Sequence, residues 1–137
     1  MKELLLPAIP KNLYAVMDFV GITLKEYRCP EEIAIQVQVA VEEIFVNIAN
    51  YAYFPAIGSA TVRCIVSREP LSVVISFLDS GRPYNPLERN DPDTSLPVEG
   101  RPIGGLGVYI VKKSMDSVAY EYIDGQNVLT IKKKIGP

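Results

Sequence analysis

Apolar and polar positions along this chain fall into segments of two different periods, separated by turn-forming residues. Lys2 to Ile9 is apolar enough for a strand, and Pro7 restricts it to a sheet edge or a bulge. Asn12 is expected to cap a helix running to about Tyr27, with Leu13, Val16, Val20 and Leu24 on one stripe. Cys29-Pro30-Glu31-Glu32 reads as the next helix start, with proline in the first turn and acids facing the positive end of the helix dipole. That second helix is predicted from about Glu31 to Tyr53, with Ile33, Val37, Val41, Ile44 and Ile48 as its main stripe. Val39, Phe45, Val46 and Ala49 spread apolar character further round, so more than one side should be covered. The alternation Ile35-Gln36-Val37-Gln38-Val39 also suits a strand, but a turn-free pattern of more than about twenty residues decides for the helix.

Two strands follow, Ala60–Ser67 and Leu71–Leu78, joined by an Arg68-Glu69-Pro70 turn. From Asp79 to Gly107 the chain is rich in Gly, Pro, Asp and Asn, and so long an irregular segment in a compact domain tends to be a binding loop or a lid. A third helix is predicted over about Leu106–Met115. The last two strands, Val118–Ile123 and Val128–Lys134, are split by the hairpin signal Asp124-Gly125. This order predicts a single domain over residues 1–137: an α/β (α+β) two-layer sandwich with a mixed, mainly antiparallel sheet and helices on one face.

Composition narrows the chemistry. With 137 residues, 48% hydrophobic and 22% charged, the chain can bury one real core. A net charge of −2 offers no basic surface for direct nucleic-acid binding, and Lys132-Lys133-Lys134 reads as a solvated strand end. No apolar stretch approaches the ~20 residues of a membrane span. Leu4-Leu5-Leu6 is broken by Pro7 and Pro10 and is too short for a secretory signal. Cys29 and Cys64 lack metal-type spacing, and Cys64, within Val62-Arg63-Cys64-Ile65-Val66, should be buried and reduced; a cytoplasmic protein is expected. The absence of histidine removes Ser-His-Asp and Cys-His nucleophilic systems, so a general base must be Asp, Glu, Lys, Tyr or Cys.

Three polar features then need a reason. Glu43 and Asn47 stack one helical turn apart, and Asn50 and Tyr51 extend that face among apolar neighbours. Burying a carboxylate and an amide without partners costs several kcal/mol, so the strip faces solvent, a partner or a ligand cavity. A carboxylate there can take a proton from a hydroxyl, and an amide oxygen suits Mg²⁺. Asp79-Ser80-Gly81-Arg82-Pro83 ends an apolar strand; it is a plain turn, or a place where the carboxylate accepts from an exocyclic amine while Gly81 lets a flat ring approach. Ile103-Gly104-Gly105-Leu106-Gly107-Val108 opens a helix and is either a hinge or a phosphate cradle. It is neither a Walker A loop nor a dinucleotide fingerprint.

Taken in order, these features resemble the boxes of the GHKL (Bergerat-fold) ATPases, and most closely the small anti-sigma-factor serine protein kinases. Glu43 to Tyr51 resembles that family's N-box, Asp79 to Pro83 its first glycine box, and Gly104, Gly105, Leu106 and Gly107 its second. Thr130 matches the threonine that closes the nucleotide pocket. The resemblance covers roughly Lys11 to Lys133. It implies that ATP and Mg²⁺ bind, with Glu43 as general base and Asn47 holding the metal against the phosphates. It implies that Asp79, with Gly81 and Pro83 in its box, receives the adenine amino group. Gly105 to Gly107 would line the triphosphate beneath an Asn85–Arg101 lid. Family members act on a serine of an anti-sigma-factor antagonist protein and sequester a sigma factor, commonly as homodimers. Two positions depart from the family pattern: Tyr51 stands where histidine is frequent, and Asn12 to Lys25 contains no arginine, which the kinases often aim at the transferred phosphate. That departure keeps a second expectation open, a non-catalytic module in which ATP stabilises one protein-binding conformation. A detached histidine-kinase domain is disfavoured, because no phosphoacceptor histidine exists.

Overall fold

The structure, a computed structural model, describes residues 1–88 and 106–136. Its elements run β1 (Lys2–Pro7), α1 (Leu13–Glu26), α2 (Glu31–Asn47), β2 (Ser59–Ser67), β3 (Ser72–Asp79), α3 (Leu106–Ser114), β4 (Ser117–Ile123) and β5 (Gln126–Lys134). The five strands form one sheet in the order β1-β2-β3-β5-β4. All four pairings are antiparallel, so the mixed, mainly antiparallel sheet expected from the order of elements is antiparallel throughout the described strands. Pro7 lies on the edge strand β1, where its missing N–H costs no ladder bond.

Strand alternation sorts the sheet into two faces. One carries Leu6, Val62, Cys64, Val73, Ile75, Phe77 and Ile131, all buried in a single cluster with α1 (Val16, Val20, Leu24), α2 (Val37, Ala40, Val41, Ile44, Phe45) and α3 (Val111). The helices therefore form the second layer, with α2 packed between α1 and α3. Phe45 and Phe77, both fully buried, anchor the two layers.

Several local expectations are sharpened. Asn12 does not cap α1 with its side chain; its Nδ2 instead donates to Pro7 O at 2.8 Å and closes the β1–α1 connection. The second helix does not stay α-helical to Tyr53, because at Ile48 it widens into a π-helical turn that runs to Ala52. Asp124 and Gly125 both take positive φ (53° and 76°), the type I′ geometry that a two-residue hairpin between twisted strands demands. Lys133 is not simply solvated: it donates to Ser114 O at 2.7 Å and so ties β5 to the end of α3. Cys64 is a free, buried thiol whose pKa burial pushes up, as its place in an apolar strand implied.

Candidate functional site

Two structural events place the site. The first is the meeting of α2 with α3. Glu43 and Asn47 flank the buried stripe of α2 and are both half-buried, Glu43 on the side that meets α3. Gly107, in the first turn of α3, lies directly against the Glu43 carboxylate. A methyl group on Gly107 would overlap Glu43 Oε2 and come within 2.8 Å of its carboxyl carbon. Only a glycine lets the start of α3 approach this acid so closely. Glu43 and Gly107, far apart in sequence, are thus in contact. Leu106 begins α3 as expected, whereas Gly104, Gly105 and the lid positions from residue 89 to residue 101 lie outside the described residues.

The second event is the seating of the Asp79 turn. Asp79, the last residue of β3, is 5% exposed, a buried carboxylate at the edge of an apolar core. Its Oδ1 accepts from Gly81 N–H at 3.0 Å and from Asn127 Nδ2 at 2.9 Å. Among the described residues, no hydrogen bond reaches its Oδ2. Burial raises the Asp79 pKa, and the Asn127 and Gly81 hydrogen bonds pull it back by favouring the charged form. The turn leaning on this residue is held by the π-helical turn: Arg82 N–H donates to Ala52 O at 3.1 Å, and Arg82 Nη2 donates to Phe54 O at 2.9 Å. Gly81 packs so tightly on this backbone that an added methyl would overlap Ala52 O and come within 2.7 Å of the Ala52 carbonyl carbon. Tyr53 completes the support, accepting from Ser80 N–H at 2.7 Å and donating to Ser59 O at 2.6 Å. Pro83 follows at the exposed rim.

Thr130 does not join this site. Its neighbours Leu129 and Ile131 pack into the core beneath the helices, so alternation turns Thr130 to the other face of the sheet. There its hydroxyl pairs with Ser76 at 2.9 Å, one strand over. The residue beside Asp79 in register is Asn127. Sequence reading passed over Asn127, although an asparagine at an inward position of a strand that continues Leu129 and Ile131 is a usable signal. Tyr53 and Ala52 were missed for a different reason, since their roles depend on the π-helical turn.

The donor set fits a nucleotide better than a protein-held metal. Among the described residues no three of His, Cys, Asp and Glu come together as a metal site. Mg²⁺ commonly keeps phosphate and water ligands and takes few from protein, so a single protein oxygen, such as the Asn47 amide could offer, would serve it without such a cluster. A buried carboxylate with one oxygen unbonded among the described residues suits an exocyclic amine, and the N–H groups of a helix start favour an anion such as phosphate.

An antiparallel sheet layered with helices, with an acid on the central helix lying on a glycine at the start of the next, agrees with an ATPase-type α+β domain. The chain belongs to the family described as the histidine kinase-like ATPase domain, whose model matches residues 6–133. It is 28% identical over 97 residues to the Serine-protein kinase RsbW of Bacillus cereus (strain ATCC 10987 / NRS 248), covering 69% of this chain and 61% of that protein. The same-named protein of Bacillus thuringiensis subsp. konkukian (strain 97-27) matches at 28% over 97 residues with the same coverage. That of Bacillus mycoides (strain KBAB4) matches at 27% over 99 residues. The chain spans about three fifths of the length of the curated relatives it matches. No helix among the described residues is long and apolar enough to cross a membrane.

Proposed function

We propose that this chain is a cytoplasmic ATP-dependent serine kinase and anti-sigma regulatory factor. In this reading it binds ATP with Mg²⁺ and transfers the γ-phosphoryl group to a serine of an anti-sigma-factor antagonist protein, with a sigma factor as its second partner and a homodimer as its assembly. The observation that carries the proposal is the contact between the Glu43 carboxylate and Gly107. It sets a proton acceptor beside the helix start where phosphate groups are favoured. Family membership and the serine-protein kinase relatives support the same reading.

The step balances simply. The serine Oγ attacks Pγ, the bond from Pγ to the β–γ bridging oxygen breaks, ADP leaves, and the hydroxyl proton passes to Glu43. Mg²⁺, when bound, neutralises charge on the phosphates, and Asn47 is the residue that would hold it. Asp79 accepts a hydrogen bond from the adenine amino group through Oδ2, with Gly81 and Pro83 bordering the ring. Gly104, Gly105, Leu106 and Gly107 supply backbone N–H groups to the phosphates. The chain's contribution is positioning and electrostatic stabilisation.

One feature favours a second reading, a non-catalytic module that binds ATP to hold one protein-binding conformation: α1 contains no arginine to meet the transferred phosphate. The two readings separate on incubation with γ-labelled ATP, Mg²⁺ and antagonist proteins from the same genome, beside Glu43→Ala. Label on a partner serine that vanishes in the variant supports the kinase. Tight ATP binding with no transfer establishes the module, and no ATP binding with Mg²⁺ present refutes both.

A further inference from the structure

The inward positions of β5 run Asn127, Leu129, Ile131, and the polar one is buried, at 7% exposure. Its amide is fully engaged. Nδ2 donates to Asp79 Oδ1 at 2.9 Å and to Arg82 O at 3.0 Å, while Oδ1 accepts from Tyr84 N–H at 3.1 Å and from the Tyr120 hydroxyl. A primary amide has two N–H donors and one oxygen with two lone pairs, so nothing is left over for a ligand. The orientation is also determined. Turning the amide over would set its oxygen against the Asp79 carboxylate and the Arg82 carbonyl, and its NH₂ against the Tyr84 N–H. Asn127 therefore ties together the end of β3, the backbone of Arg82 to Tyr84 that follows it, and β4 through Tyr120.

The consequence falls on Asp79. With Oδ1 claimed by Asn127 and by Gly81 N–H, Oδ2 is the oxygen left to face an incoming group. We propose that Asn127 is the positioning residue for base recognition. It locks the Asp79 carboxylate so that Oδ2 meets an exocyclic amine, and it holds the Arg82–Tyr84 backbone that leads from this carboxylate into the following loop. This rests on Asp79 contacting the adenine amino group. Asn127 touches no ligand; it acts through Asp79. It also counters the burial of that carboxylate, since its N–H is the largest influence keeping the charged form. Removing it is therefore expected to alter discrimination at the 6-position of a purine rather than nucleotide binding in general.

The test is equilibrium titration with ATP and with purine riboside triphosphate, which lacks only the 6-amino group, both with Mg²⁺. Asn127→Ala is expected to weaken ATP about tenfold, the loss of one well-placed hydrogen bond to a charged group, and to change the amino-free nucleotide by less than about threefold. Tyr120→Phe removes only the hydroxyl that steadies Asn127 Oδ1, so it should shift the same ratio in the same direction by about two- to threefold. It decides the matter if Asn127→Ala does not fold. Equal losses for both nucleotides in these variants would mean a merely structural residue and would overturn the inference. Asp79→Asn separates the two layers of the argument. If it leaves the ratio unchanged, the adenine contact itself is wrong. If it collapses the ratio while Asn127→Ala preserves it, only the positioning role fails. The double variant should show the ratio of Asp79→Asn alone, and a further drop would likewise overturn the role.

Discussion

Asp79→Asn sets stability and binding against each other, and the structure gives the sign of each. The amide oxygen can keep the position of Oδ1 and both of its hydrogen bonds, from Gly81 N–H and Asn127 Nδ2, so the turn retains its supports. What disappears is a charge at a site 5% exposed, whose burial raises its pKa. A carboxyl with a raised folded pKa contributes most below its unfolded value, about 3.9, and loses that contribution as pH rises through the folded pKa. Relative to the Asp79→Asn variant, the natural protein should therefore lose stability above about pH 4, at up to ~1.4 kcal/mol per pH unit, and level off once Asp79 is ionised in the folded state.

Denaturant unfolding of both proteins at half-unit pH steps measures this difference directly. Binding should move the opposite way. An NH₂ now stands where a carboxylate oxygen would meet the adenine amine, so a charge-assisted hydrogen bond of ~1.5–3 kcal/mol is lost and ATP weakens about 10- to 100-fold. A stability difference that does not vary with pH would refute the buried-charge argument. Unchanged ATP affinity would refute the adenine contact.

Other substitutions probe the remaining supports. Gly81→Ala drives a methyl into the Ala52 backbone, which cannot swing aside, and should cost ~1–3 kcal/mol by denaturant unfolding; an unchanged midpoint would show the close approach to be relaxed in solution. Gly107→Ala meets only the movable end of Glu43, so the fold and ATP binding should survive. Single-turnover phosphotransfer should nevertheless drop about 100-fold as the base is displaced, and transfer at the natural rate would remove Glu43 from its proposed role. Tyr53→Phe leaves Ser80 N–H and Ser59 O without their partner and should cost ~1–3 kcal/mol, read as a lowered thermal midpoint; an unshifted midpoint would mean that water replaces the hydroxyl.

Much of this architecture is legible before any coordinates, and the limits have physical causes. The stripe Val37, Val41, Ile44 identifies α2 because burial of one helical face repeats every three to four residues. Asp124-Gly125 identifies the last hairpin because few residue pairs accept two positive φ angles. Glu43, Asn47 and Asp79 stand out as polar groups in apolar surroundings, which is a local property of sequence. The side of the sheet that Thr130 occupies is harder to read, because a β-residue's face depends on register, and a shift of one position exchanges the faces. The π-helical turn is illegible for another reason. Ile48 to Ala52 is compatible with a regular helix, and nothing local in those residues marks the wider turn that brings Ala52 O against Gly81.

That turn bears on how the candidate site behaves as a unit. The last carbonyls of any helix lack intrahelical partners and need donors from elsewhere. Here the Ala52 carbonyl takes its donor from the N–H of Arg82, the residue that follows the glycine bonded to Asp79 Oδ1. The turn that positions Asp79 thus caps the same helical rod that carries Glu43 and Asn47. Tyr53 and the Phe54 carbonyl extend the same junction to Ser80 and Arg82. A base bound at Asp79 would order a turn already bonded to the helix that presents the acid to Gly107, so the two ends need no mobile element between them to act together. Widened π-type turns recur at functional sites where an extra residue re-aims a helix end, and this one aims a carbonyl at the turn after Asp79. On this geometry, the two halves of the candidate site share one hydrogen-bonded frame, and damage to the junction at Ala52 should be felt at both.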